Sequence, residues 1–202
     1  MSTPRPRAPR RSPDERRAAI ADAARVVALT EGLGAVTLRA VAARAGVAPA
    51  LVAHYADGGM DALVADAFTG IVAAELGEVA ALVAAEPDPR GALTAMMRTL
   101  SGGARDEVTA IWVEAWALGR RNEALAAAVR AQMDAWHDLV RSLVDPFGVA
   151  DPPAVAWQIL AMIDGTGAQS LVRWGESEDR SELLLRATWG MLGVAPGEGS
   201  GR

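Results

Sequence analysis

The chain has 202 residues, 51 % of them hydrophobic but only 4 % aromatic, so a core must come mainly from Ala, Val and Leu, which favours helices over strands. It has no Cys and only His54 and His137, which excludes disulfides, thiolate nucleophiles and Cys- or His-based metal cages, and no cofactor is expected. The net charge of −5 conceals an asymmetry: residues 1–56 carry nine Arg against four acids (+5) and residues 57–202 eleven Arg against twenty-one acids (−10), so only the front suits a polyanion.

Residues 1–12 combine Pro4, Pro6 and Pro9 with Arg5, Arg7, Arg10 and Arg11 and read as a disordered basic arm. Ser12-Pro13-Asp14-Glu15 then supplies an N-cap, a proline at the first helical position and the glutamate of a capping box. Ile20, Ala23, Ala24 and Val27 give that first helix one apolar face, and Gly32 and Gly34 end it. Thr37 caps a short second helix with Leu38, Val41 and Ala42. Gly46 interrupts it, and Pro49 opens a third helix containing Leu51, Val52 and Tyr55. Three short helices with Gly between the last two have the spacing of a helix-turn-helix, although any small three-helix bundle would show it too.

After Asp57-Gly58-Gly59 the chain reads as amphipathic helices over about 61–84, 89–101, 106–118, 123–144, 152–174 and 180–192. Asp88-Pro89, Gly102-Gly103, Asn122, Asp145-Pro146, Asp151-Pro152 and Gly175 mark the boundaries, and no segment alternates as a strand does. The expected fold is all-α. It comprises a helix-turn-helix domain over 13–60, a helical body over 61–195 and a flexible tail over 196–202. The apolar stretches Ile71–Ala74 and Val79–Ala85 are broken well short of the roughly 20 residues a membrane span requires. No apolar leader follows the basic arm, so a cytoplasmic protein without a membrane partner is expected.

Ile20, Ala23-Ala24, Gly32, Thr37, Val41-Ala42 and Ala45-Gly46-Val47 follow one another without a gap. This run resembles the N-terminal domain of the tetracycline-repressor-like (TetR) transcriptional regulators. More weakly, Ile111-Trp112-Val113-Glu114-Ala115-Trp116 and Ile163-Asp164-Gly165 resemble the subset related to choline-responsive regulators. The resemblance implies a homodimer that binds double-stranded DNA through the basic module and a small molecule through the body. The chain departs from the family pattern at Ala48 and Ala53. It also departs at Asp57-Gly58-Gly59-Met60-Asp61, which is one residue longer and lacks the phosphate-binding Lys.

On this reading Thr37, Arg39 and Arg44 are expected to contact phosphates, while Pro49, Ala50, Ala53, His54 and Tyr55 are offered to the major groove. The same pattern allows Tyr55 to complete the small core instead. All six Trp lie in the body. Trp112, Trp116 and Trp136, with His137 and Met162, are expected to wall a pocket for an apolar or cationic molecule, with Glu114 or Asp164 as counter-charge. Ala161, Gly165, Ala168 and Val172 on the penultimate helix, and Leu183, Leu184, Ala187 and Met191 on the last, form stripes suited to a four-helix dimer seam. Burial within one chain would give the same stripes. An enzyme is disfavoured, because no phosphate loop, metal spacing or nucleophile–base pair is present, and Asp134, His137 and Asp138 read as a solvated helix face. The alternative is a related module that has lost specific DNA reading and binds a protein or a ligand.

Overall fold

The computed structural model describes residues 12–56, 58–102, 105–174 and 180–194, so the basic arm before Ser12 and the tail after Pro196 lie outside the described residues. Nine α-helices follow in order among them: α1 Pro13–Glu31, α2 Leu38–Ala45, α3 Pro49–Tyr55, α4 Gly59–Ala84, α5 Pro89–Ser101, α6 Asp106–Gly119, α7 Glu123–Val144, α8 Pro152–Ser170 and α9 Arg180–Met191. Single 3-10 turns occupy Leu33–Ala35 and Asp145–Phe147, and no strand occurs among the described residues.

Local chemistry sets the helix starts. The Ser12 hydroxyl accepts the Glu15 N–H while the Glu15 carboxylate accepts the Ser12 N–H, closing the capping box on α1. Asp88, Asn122 and Asp151 cap α5, α7 and α8 through the N–H groups of Gly91, Leu125 and Ala154. Each such cap stabilises its helix by about 1 kcal/mol.

Helices α1 to α3 pack on one another around Ile20, Ala24, Val27, Val41, Ala42 and Val52, all buried, and Val47 is half-buried at their edge. Helix α4 joins this module to the body, touching α1 on one side and α5, α6 and α7 on the other. Taken as a whole, α4 is long and apolar enough to cross a membrane, with a mean hydropathy of 1.7 over its most apolar window. The sequence expectation weighed its apolar stretches separately. In the fold Leu63, Phe68, Val72 and Val79 of α4 are buried against its neighbours, each such side chain contributing about 1.5–3 kcal/mol.

Helix α8 stops at Ser170, four residues before the expected end. Arg173 takes a left-handed φ of 59°, and the Trp174 N–H closes on the Gln169 carbonyl at 3.3 Å, which turns the chain out of the helix.

Candidate nucleic-acid interface and inner cavity

The short helices α2 and α3 meet through a left-handed residue. Gly46 has φ 67°, its N–H bonds back to the last carbonyls of α2, and the Val47 N–H reaches the Ala42 carbonyl at 3.0 Å. Only glycine takes this conformation without strain. Thr37 caps α2 by accepting the Ala40 N–H at 3.2 Å, whereas Ala48 gives α3 no side-chain cap.

Around this turn Thr37, Arg39, Arg44, Pro49, Ala50, Ala53 and His54 are all exposed, so seven of the eight residues expected at a DNA surface face solvent. Tyr55 does not. It is half-buried and packed against the module's core, with the His54 ring edge-on at 5.1 Å and the Arg17 guanidinium 5.7 Å above its ring centre. Its aromatic face is therefore covered, while Ala53 and His54 beside it stay exposed.

In the body Trp112 and Trp136 are buried and wall one small cavity with Leu100, Met133, Leu160 and Ile163, while Arg105 and Asp164 supply its charged groups. Its volume is about 30 Å³, the space of about one water molecule, so a larger guest must displace side chains of the lining. The Trp136 indole Nε1–H is buried without a hydrogen-bond partner. An unmade bond of this kind costs about 1–3 kcal/mol. Trp112 meets Phe68 edge-on at 5.1 Å and lies 5.9 Å from Trp116.

The floor is electrostatic. Arg105 donates from Nε and Nη2 to the two carboxylate oxygens of Glu75 at 2.5 and 3.1 Å, and both side chains are nearly buried (10 % and 12 % exposed). Burial pushes the Asp164 carboxyl up to about 6, with the Arg105 charge opposing the shift and Glu75 adding to it. A carboxyl raised in this way holds its proton in the folded state at pH values where the unfolded chain has lost it. The native state thus binds more protons between pH 4 and 6, and the Asp164 contribution to stability falls as pH rises through that window. We expect Asp164→Asn to raise the melting temperature at pH 8 and leave it unchanged below pH 4, as a pH series of thermal melts would show.

Four residues expected in the pocket sit elsewhere. Glu114 reaches across to the module of α1 to α3, where its carboxylate accepts the Leu33 N–H at 2.6 Å. Gly32, at φ 91°, leaves it room, since a Cβ there would lie 2.6 Å from the carboxylate. His137 bonds through Nε2 to the Pro153 carbonyl at 2.9 Å and ties α7 to the start of α8. Trp116 and Met162 are half-buried and pack against the core outside the cavity lining.

Sequence reasoning missed Arg105 and Glu75. A signal was present, because Glu75 falls in helical phase with the buried Phe68, Val72 and Val79 of α4.

On the last two helices Ala161, Gly165 and Ala187 are exposed, Ala168 is half-exposed, and Val172 is exposed in the turn beyond α8. Leu184 is a correction. It is 2 % exposed and faces the core, and Met191 is half-buried against that core. The outward stripe of α9 keeps Leu183 and Ala187 and continues through Gly190. Trp157, one turn before Ala161 on α8, is 64 % exposed and was not among the expected residues.

Comparison with known proteins follows the same division. A family model described as "Bacterial regulatory proteins, tetR family" matches residues 20–67. A second, described as "BetI-type transcriptional repressor, C-terminal", matches residues 89–192, just over half of the chain. No curated protein matches. Among solved structures, a protein from Rhodococcus sp. assigned to the TetR family of transcriptional regulators is 21 % identical with a TM-score of 0.74, covering 89 % of this chain and 99 % of its own. One from Pseudomonas aeruginosa PAO1, assigned as a transcriptional regulator, is 20 % identical with a TM-score of 0.73 and covers 91 % of each chain. The multidrug binding protein EbrR, complexed with proflavin, is 23 % identical with a TM-score of 0.65, covering 87 % of this chain and 99 % of its own.

Proposed function

Because this chain belongs to the TetR family of bacterial transcriptional regulators, we propose that it is a cytoplasmic, ligand-responsive repressor that grips a pseudo-palindromic operator as a homodimer and releases it when a small molecule enters the body. The division of labour is a DNA-binding domain over 13–60 and an effector-binding and dimerisation domain over 61–195. The protein acts by binding, not by catalysis.

One observation carries the ligand response. A single helix, α6, walls the inner cavity with Trp112 and, two residues on, holds the Leu33 N–H of the DNA-side module with Glu114. A guest that displaces Trp112 therefore shifts α6 and the carboxylate that anchors the module. By linkage, effector weakens DNA binding and DNA weakens effector binding by the same factor. The effector class that suits the lining is a small, largely apolar molecule with an acceptor for the Trp136 N–H and a donor or cationic group for Asp164. EbrR, of the same fold, is described with an organic guest, proflavin.

Homodimerisation is supported by the outer face of α8 and α9, where Trp157 and Leu183 are exposed beside the small residues Ala161, Gly165 and Ala187. Paired across a two-fold axis, these helices form a four-helix seam. The recognition helices α3 would then enter successive major grooves about 34 Å apart.

The experiment is a fluorescence-anisotropy titration of the double variant Arg39→Ala/Arg44→Ala against duplex from upstream of the protein's own gene. Both side chains are exposed beside α3, so their loss should weaken binding roughly tenfold or more, alike across sequences. The log–log salt slope should fall by about two units. Unchanged affinity would remove α2 from the interface. It would favour the module that has lost DNA reading, a reading that the uncapped α3 and the missing Lys keep open.

A further inference from the structure

A second, larger cavity lies outside the body's core. It is a groove of about 780 Å³ at the joint between the two modules, with α1 as one wall and α4, the end of α5 and the start of α6 as the other. Leu29 of α1, Ile71 and Leu82 of α4 and Val108 of α6 give it an apolar surface, and Leu82 is one of the large hydrophobic side chains left exposed. Its two cations are already engaged, Arg25 with Asp22 and Arg105 with Glu75. Glu78 and Glu107 line the same groove, and among the described residues neither forms a hydrogen bond or ion pair. The groove is thus apolar along its walls and carries a surplus of two negative charges.

We propose that this groove is a second ligand site, distinct from the inner cavity, and that it takes an amphipathic organic cation whose apolar body lies on Leu29, Ile71, Leu82 and Val108 while its ammonium group faces Glu78 and Glu107. An anion of the same shape would meet uncompensated carboxylates, and a wholly apolar molecule would leave the charges unused. The Arg105–Glu75 pair forms the partition, since Arg105 lines both the groove and the inner cavity. A molecule seated here touches α1 of the DNA-binding domain and α4 of the body at once, so its site is built from both.

The test is isothermal titration calorimetry of the full chain with decyltrimethylammonium below its micellar concentration, with decyl sulfate as the anionic counterpart. One saturable site is expected for the cation and none for the anion. Glu78→Gln/Glu107→Gln should weaken the cation at least tenfold. Ala74→Trp, on an exposed position of α4 that lines the groove, should abolish the heat. Asp164→Asn, in the inner cavity, should change the affinity less than twofold, and thermal melts of all three variants establish that they fold. Four results would overturn the proposal: no saturable binding, equal binding of decyl sulfate, wild-type affinity in Ala74→Trp, or loss of binding in Asp164→Asn with retention in Ala74→Trp. The last would move the guest into the inner cavity and leave the repressor reading intact.

Discussion

Arg105→Ala is expected to be the most destabilising substitution of a charged residue in the described part of the chain, at about 3–5 kcal/mol, because it strands the Glu75 carboxylate in a nearly buried site. For a chain of this length that is a fall in melting temperature of roughly 10 °C. The loss is greater than the worth of the pair, since the remaining charge keeps its desolvation cost and loses the cation it is paired with. Arg105 also reaches the Leu100 carbonyl and the Thr109 hydroxyl, both at 3.4 Å, so the end of α5 and the first turns of α6 lose a common anchor. Replacing both partners, Glu75→Leu with Arg105→Met, should restore most of the stability, because it removes the buried charge altogether. Differential scanning calorimetry checks both results. A melting temperature for Arg105→Ala within 2 °C of wild type would mean that Glu75 is solvated and that the two cavities have no ionic partition.

Trp157→Asp should have the largest effect on DNA binding while leaving the fold intact. Trp157 is 64 % exposed at an early turn of α8, so a carboxylate there is solvated in a single chain but buried and unpaired in the proposed seam. The protein should sediment as a monomer at micromolar concentration. Its affinity for a two-half-site duplex should fall by about 10² or more, the factor gained when two binding modules are linked. Circular dichroism should match wild type. Leu184→Asp makes the contrast, because Leu184 faces the core and its replacement should cost stability before it changes assembly. Retention of a dimer by Trp157→Asp would place the seam on another face.

The starts of the helices were legible because capping acts within three or four residues. Ser12 with Glu15 and Thr37 cap the helices expected of them, and Asp88, Asn122 and Asp151, read as boundary marks, each cap the helix that follows. The end of α8 was not legible, since it depends on a left-handed Arg173, a conformation that this residue type does not announce. Glu114 was placed beside Trp112 and Trp116 by proximity in sequence. Two residues along a helix turn the side chain through about 200°, and in the fold the carboxylate points away from the cavity toward Leu33. The Arg105–Glu75 pair spans thirty residues, and only the phase of Glu75 within an apolar helix betrayed its inward direction. On α9 apolar residues occur on two adjacent stripes, so Leu183 and Leu184 read as one until the packed side is known, and of the two it is Leu183 that faces outward. Seven of the eight residues expected at the DNA surface are exposed, because a three-helix module of this length has few ways to bury its apolar positions.

The most direct measurement of the central claim is the binding of the full-length protein to a duplex from upstream of its own gene, followed by anisotropy across a salt series, with the stoichiometry of the complex taken by sedimentation. The account predicts two chains per operator and an affinity that falls steeply and linearly on a log–log plot as salt rises. A protein that stays monomeric, or that ignores the duplex at low ionic strength, would contradict it.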